Sequence, residues 1–386
     1  MEVKINLPKN LEEEFKCFNF EKVDKNLDIF KNLEKDFYFK DKIVELKNNG
    51  FKNAIIIGNG GSISTTYAFL GLKEFYENNF YVLNTNEPKL IKDLRNFFKK
   101  KDTIVFVISK SGKTSTVIEN YFAFRDYKKV IITGKGSLLY NLSKKDNNII
   151  FEHPNVGGRF TGPTVVSYIP SFFLGLDIDK IRDGFEEAYK KNNVEIEDSD
   201  SLKIAKLLYF LEEKGYINIF VPIYSNYLNN LQNVVMQLYH ETVCKDGKGG
   251  TIFTSLSPES QHHTNQRFFG GRKNILGMFI TYKNKDSFVI ENNEEGLEKY
   301  DDLDLGDALH YEFYGTYQNS INKGIPTINI ELDRLDEKEI ANFIGFFHYL
   351  SIYSAFFRGV NPFDQPAVED SKNITQKLLE ERKKEK

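Results

Sequence analysis

Apolar residues recur along this chain in two rhythms. Short unbroken apolar runs closed by glycine or polar residues mark buried strands, and apolar residues three and four apart mark helices. The first fifty residues carry the helical rhythm at Leu27, Phe30 and Leu33, then at Ile43, Val44 and Leu46, which predicts one or two helices. Beyond them the rhythms alternate. Asn53–Ile57 reads as a buried strand closed by the turn Gly58–Gly61, Ile63–Tyr76 as a helix, Phe80–Leu83 as a strand and Pro88–Lys99 as a helix. Thr103–Ser109 is another strand, followed by a helix from about Thr114 to Asp126, and Lys129–Thr133 and Asn147–Phe151 are strands. Such alternation predicts a parallel sheet covered by helices on both faces.

The acidic stretch Glu195–Asp200 reads as a linker to a second unit of the same kind. Leu202–Glu213 and Ser225–Glu241 are predicted helices, and Ile217–Pro222, Thr251–Leu256, Asn274–Thr281 and Pro326–Leu332 predicted strands. Asp336–Phe357 reads as a long apolar helix, and the charged tail from Gln365 to Lys386 as helical. The fold class expected is therefore α/β: two doubly wound parallel sheets in tandem, flavodoxin-like three-layer αβα units, with a C-terminal helical arm. The expected divisions are an N-terminal helical segment 1–50, a first sheet domain 51–180, a second 195–345 and an arm 346–386. In such sheets ligands sit beyond the carboxyl ends of the strands, where the strand order reverses. That selects the loops after Ile57, Ser109 and Phe151.

Composition narrows the class without naming a reaction. The 386 residues are 40% hydrophobic and 28% charged, with a net charge of -3 that is interspersed along the chain. No basic face is evident, so nucleic acid is not an expected partner. No apolar run approaches the roughly 20 residues that cross a bilayer, and the mixed-charge N-terminus lacks the apolar core of a secretory signal, so no membrane partner is expected. The two cysteines, Cys17 and Cys244, make no disulfide framework and suit a reducing cytoplasm.

Two of the selected loops carry candidate chemistry. Gly58-Asn59-Gly60-Gly61-Ser62 follows a strand and opens a helix, which suits either close backbone approach to an anion or a plain turn. It is no dinucleotide fingerprint, because Ile63 stands where the last glycine belongs. Ser109-Lys110-Ser111-Gly112-Lys113-Thr114 gathers hydroxyls, backbone N–H groups and lysines in one turn, the donors a phosphate monoester wants. A nucleotide P-loop needs glycine where Val107 stands, and a simple polar cap would not explain two hydroxyl-bearing loops at equivalent strand ends. A phosphorylated small molecule is the ligand these loops predict.

These loops resemble the sugar-phosphate loops of the sugar isomerase (SIS) fold, with Gly61, Ser62, Ser109, Lys110, Ser111 and Thr114 in the binding positions. Val156-Gly157-Gly158-Arg159-Phe160-Thr161 resembles the arginine signature of phosphoglucose isomerases, and Asn361-Pro362-Phe363-Asp364-Gln365 through Glu369 and Lys372 resembles their C-terminal signature. The motifs run in family order from residue 58 to residue 372. By this resemblance Glu241, within Gln237-Leu-Tyr-His-Glu241, is the catalytic glutamate. His262 is the catalytic histidine when the Gly271-Arg272-Lys273-Asn274 run is aligned, with His263 its immediate neighbour and rival. The resemblance further implies two SIS domains, no cofactor, no metal, and a homodimer or larger homo-oligomer in which the histidine is supplied across the interface. Thr116 stands where many relatives carry an acid, and His240 and Thr242 flank Glu241 where Gly and Ser are common.

The chemistry implied is reversible aldose–ketose isomerisation of glucose 6-phosphate and fructose 6-phosphate, as in glycolysis and gluconeogenesis. A carboxylate can take the C2 proton and return it at C1 through a cis-enediol, and Glu241 is the expected base. Arg159 would stabilise the developing oxyanion. His262 would exchange protons during ring opening, Lys372 would assist, and Gln365 would hold sugar hydroxyls. His240-Glu241-Thr242-Val243-Cys244 nearly spells a zinc-peptidase motif, but Cys244 replaces the second histidine. The alternatives are a non-catalytic phosphosugar regulator and a mannose- or aminosugar-phosphate isomerase of the same fold.

Overall fold

The structure is a computed structural model that describes residues 1–20, 36–73, 80–193 and 199–382. Its strands are β1 Glu2–Asn6, β2 Asn53–Ile57, β3 Phe80–Leu83, β4 Thr103–Ser109, β5 Lys128–Thr133 and β6 Ile149–Glu152. They continue with β7 Asn218–Ile223, β8 Thr251–Leu256, β9 Ile275–Tyr282, β10 Val289–Ile290, β11 Leu303–Asp304 and β12 Thr327–Leu332.

One sheet has the order β3-β2-β4-β5-β6 and is parallel throughout. Every residue of β2 and β4 is buried, as unbroken apolar runs require when helices cover both faces. Alternate residues feed two cores. Ile55, Ile57, Val105 and Val107 pack with Leu94, Val117 and Tyr121 of the helices on one face. Ala54, Ile56, Ile104, Phe106 and Ile108 face the other way. There they join a core shared with Ile219, Val221 and Ile223 of β7. The second sheet has the order β1-β12-β9-β7-β8, parallel except for β1, which pairs antiparallel with β12. The two α/β layers expected from the sequence are thus present, but one continuous core unites them.

The helix Glu337–Phe357 occupies the middle of that core, with every residue from Glu339 to Ala355 buried. It packs against the helices Ile178–Asn192, Asp200–Glu213 and Leu231–Val243. It corrects two expectations. The division placed between residues 345 and 346 cuts a single continuous helix. And by length and apolar composition this helix could cross a bilayer, although no such run was expected; here its apolar surface is buried inside the protein.

The N-terminal segment 1–50 is not helical from its start. Glu2–Asn6 is a strand in register Glu2↔Glu331 to Asn6↔Thr327, and only then come the helices Lys9–Cys17 and Lys40–Asn48. Val3 and Ile5 alternate with polar residues at strand period, but a five-residue pattern is short, and its partner lies over 300 residues away. Ion pairs of the Met1 ammonium with Asp333 and Glu339 fix the strand's beginning. In the second helix Ile43 and Leu46 are buried while Val44 is exposed. The expected helix around Leu27, Phe30 and Leu33 lies outside the described residues, as do 74–76 of the expected helix Ile63–Tyr76 and most of the linker Glu195–Asp200. What is described of the expected helix Ile63–Tyr76 is the short helix Ser64–Leu70 between two 3-10 turns. Ser199 caps the helix that begins at Asp200 by accepting from the Leu202 N–H. The stretch read as one helix from Ser225 is a 3-10 turn, Asn226–Leu228, followed by the helix Leu231–Val243.

Candidate active site

β3 and β4 flank β2 on opposite sides, so the first sheet reverses its strand order at β2. The loops beyond β2 and β4 therefore border the crevice where doubly wound sheets take ligands. After β4, Ser109 Oγ accepts from the Gly112 N–H at 3.2 Å and lies 3.3 Å from Thr114 Oγ1. Gly112 has φ +59, and a Cβ there would sit 2.3 Å from Ser137 Oγ, so only glycine turns this loop without displacing its neighbour. The turn leaves Lys110, Ser111 and Lys113 exposed at the start of the helix Ser115–Ala123. Thr116, at the position where an acid was noted as missing, donates its hydroxyl to Asn59 Oδ1 at 2.6 Å, and Asn59 Nδ2 donates to the Asn84 carbonyl at 2.9 Å. The neutral Thr116 thereby joins the loops after β2, β3 and β4.

The loop after β2 packs against the turn after β6 and, through Gly60, against the helix Leu231–Val243. Gly61 lies against the Gly158–Arg159 peptide so closely that a Cβ would be 2.1 Å from the Gly158 carbonyl carbon and 2.3 Å from the Arg159 nitrogen. Thr161 Oγ1 spans the same junction, donating to the carbonyls of Gly61 and Gly158. Gly60 is equally constrained, since a Cβ there would meet Gln237 Nε2 at 2.8 Å. Gly61→Ala should therefore push the two loops apart, with overpacking costing about 1–3 kcal/mol. Denaturant titration measures that cost, and sugar-phosphate affinity should fall with it because Arg159 moves with the displaced peptide.

Arg159 is buried, and all five of its N–H groups are used. Nε donates to Thr242 Oγ1 at 2.9 Å. One terminal nitrogen donates to Glu241 Oε2 at 3.2 Å and to Gln365 Oε1 at 2.7 Å. The other donates to the carbonyls of Pro362 and Asp364. Burial pulls the guanidinium below its ordinary value, while Glu241 and Asp364 hold it up. Glu241 keeps 27% of its side chain exposed, enough to meet a ligand. Its second oxygen accepts from Gln237 Nε2 at 2.9 Å. Gln237 is four residues earlier on the same helix, a spacing that puts both side chains on one face and that the sequence displayed without a role being read from it. The carboxylate is thus held at both oxygens, beside a fixed positive charge, at the edge of the Gly60–Gly61 turn.

Behind Arg159 stands His348, fully buried in the central helix. Its Nδ1 lies 2.9 Å from the Tyr189 hydroxyl, and its ring stacks on Phe185 at 5.9 Å. Burial pushes it down to about 3, so it stays neutral through the working range of an enzyme. No sequence signal marked it, because a histidine inside an apolar helical run looks like any other core position.

The remaining candidates are not drawn into this cluster. His262 is exposed at the end of the 3-10 turn Glu259–His262 beyond β8 and makes none of the cluster's hydrogen bonds. His263 is also exposed, with Nδ1 2.6 Å from Thr264 Oγ1. Lys372 lies on the exposed helix Glu369–Glu381, its ammonium 2.7 Å from Glu369 Oε1. That helix does reach the neighbourhood of the Ser109–Thr114 loop, because Gln376 Nε2 donates to Ser115 Oγ at 2.6 Å. Lys372 is one helical turn from Gln376 and shares its face. The near-zincin segment is otherwise engaged: His240 Nε2 accepts from the Ile252 N–H at 3.1 Å and Cys244 contacts the Gly250 carbonyl. Among the described residues no group of three or more His, Cys, Asp or Glu could hold a metal ion.

No family model matches the chain. It is 27% identical to the glucose-6-phosphate isomerase of Methanocaldococcus jannaschii over 369 residues, covering 93% of this chain and 88% of that protein. Among solved structures it is similar to a hypothetical protein of Thermus thermophilus, with a TM-score of 0.84 at 23% identity over 96% of this chain and 94% of the other. It is also similar to a glucose-6-phosphate isomerase of Chlamydia trachomatis, with a TM-score of 0.73 at 16% identity over 97% and 78% of the two chains. The fold is the two-domain αβα arrangement found in phosphosugar isomerases. Similarity to proteins named glucose-6-phosphate isomerase extends over most of the chain.

Proposed function

We propose that this chain is a glucose-6-phosphate isomerase, interconverting glucose 6-phosphate and fructose 6-phosphate without metal or cofactor. The observation that carries the reading is the Glu241 carboxylate, held by Gln237 and Arg159, with Gln237 against the Gly60 turn that follows β2. The phosphate binds the loop of Ser109, Lys110, Ser111 and Thr114, with Gly61 and Ser62 across the crevice. Glu241 removes the C2 proton of the open-chain aldose and returns it at C1. The electron pair of the broken C–H bond forms the enediol double bond while the carbonyl oxygen takes up a proton. Arg159 stabilises the charge that gathers on the enediol oxygens, and its commitment to five acceptors fixes it in place before the reaction begins. Gln365, bonded to the same guanidinium, binds sugar hydroxyls.

Ring opening needs a proton carrier, and among the described residues no histidine is bonded to the Glu241 carboxylate or the Arg159 guanidinium. An exposed His262, standing apart from Glu241, suits donation into the site of a second copy of this chain, and we assign it that role within a homodimer or larger assembly. Lys372 assists from the arm that lies on Ser115. Residues 51–180 then serve as the phosphate-binding unit and the segment from 195 to the central helix as the unit carrying the base. The free cysteines Cys17 and Cys244 fit a cytoplasmic enzyme.

The test is a coupled assay of fructose 6-phosphate conversion with EDTA present. Turnover is expected. Ligand-dependent stabilisation without turnover would make the protein a phosphosugar regulator, and faster turnover of mannose 6-phosphate or an aminosugar phosphate would reassign the substrate.

A further inference from the structure

Two cations, rather than one, grip the segment Asn361–Gln365. Lys245 follows the helix Leu231–Val243, and its side chain is only 7% exposed. Its Nζ donates to the Thr242 carbonyl at 3.1 Å and to the Asn361 carbonyl, and stands 3.2 Å from Asp364 Oδ1. An ammonium has three donors, and all are used. With Arg159 on the Pro362 and Asp364 carbonyls, three backbone carbonyls of this short segment face two buried positive charges. The segment is closed on itself as well: Asn361 Nδ2 donates to Asp364 Oδ2 at 3.0 Å, and the Phe363 N–H donates to Asn361 Oδ1 at 3.0 Å.

What hangs from the segment explains why such a grip matters. Gln365 follows Asp364 directly, and the helix Glu369–Glu381 begins shortly after. That helix has no buried residue. It therefore has no core of its own to fix its direction, and besides the Gln376 contact with Ser115 the segment before it is what orients it. A lysine placed near Arg159 is also costly. Burial and the neighbouring guanidinium both disfavour its charge, and Asp364 and Glu241 compensate.

We propose that Lys245 is a positioning residue of this site. Together with Arg159 it clasps Asn361–Gln365, thereby aiming Gln365 and the helix that bears Lys372, and the clasp opens when Lys245 loses its proton. Four charged groups meet there: Lys245 itself, Arg159 from the loop after β6, Asp364 from the clasped segment and Glu241 from the preceding turn. Burial is the largest influence and lowers the ammonium from the ordinary lysine value. The clasp is thus lost as the pH rises, earlier than a surface lysine would titrate.

The kinetic consequence rests on the isomerase reading; the structural one does not. Three variants, Lys245→Met, Lys245→Arg and Asp364→Asn, are compared with the wild type by the pH profile of kcat/KM and by amide hydrogen exchange across residues 363–382. Lys245→Met should raise KM about tenfold, changing kcat less, since the lost interaction positions binding groups. It should also speed exchange in the arm. Lys245→Arg, whose guanidinium keeps its charge, should move the alkaline limb of the profile to higher pH. Asp364→Asn should move it lower. Should Lys245→Met fail to fold, the opposite shifts of the other two carry the test. An alkaline limb shared by wild type, Lys245→Arg and Asp364→Asn, with arm exchange unchanged, overturns the proposal. Absence of isomerase activity in the wild type itself defeats the isomerase reading instead, and the exchange measurement still decides whether the clasp exists.

Discussion

Glu241→Gln should lower kcat for fructose 6-phosphate by about 10²–10⁴-fold, the usual range for loss of a positioned general base, while sugar-phosphate affinity stays within a few-fold of the wild type. The amide has nearly the shape of the carboxylate and can still accept from Arg159, so the guanidinium keeps its geometry. It has no basic oxygen to take a proton from carbon. Rate and affinity should therefore separate, and that separation distinguishes a base from a residue that merely binds. Stopped assays give the rate, and ligand-dependent thermal stabilisation gives the affinity. Full activity in this variant would remove Glu241 from the reaction, and loss of binding in parallel with rate would make it a binding residue.

Arg159→Met should affect stability and chemistry together. The guanidinium is buried, and its removal strands the Glu241 carboxylate, the Gln365 amide and the carbonyls of Pro362 and Asp364. Breaking a buried pair by deleting one partner costs about 3–5 kcal/mol. Losing its fixed positive charge beside the enediol should cost a further factor of roughly 10²–10³ in kcat, the range seen for loss of preorganised electrostatic stabilisation. Arg159→Lys separates the two effects. A lysine keeps a positive charge but offers three donors in place of five, so much of the fold's stability should return while the rate does not. Urea unfolding and kcat of both variants are the measurements. If Arg159→Lys restores the rate along with the stability, the guanidinium geometry has no part in the chemistry.

Much of the site was legible along the chain because its pieces are local. The loops beyond β2 and β4 announce themselves by glycines and hydroxyls directly after buried strands, and the same order of strand, turn and helix exists in the structure. The carboxylate and the arginine became candidates only through the resemblance of their segments to a known family, since each is an ordinary charged residue by spacing alone. Their pairing was not, since Glu241 stands 82 positions from Arg159, and Gln365 stands 206. Gln237 lay in plain view one turn before Glu241, yet its contact with Gly60 depends on how the two halves meet.

By itself the sequence determined the elements and the chemistry each could offer. Unbroken apolar runs impose buried strands, three-and-four spacing imposes helices, and glycines at strand ends leave backbone N–H groups open, all through forces that act within a few residues. Only the tertiary structure decided which elements share a core, that β1 completes a sheet made mostly from the other end of the chain, and that one helix crosses the division expected at residue 345. It alone set two cations against Asn361–Gln365 and left His262 and Lys372 outside the cluster. Those choices follow from burying apolar surface and satisfying every buried donor across the whole chain at once, a condition that no short window of residues contains.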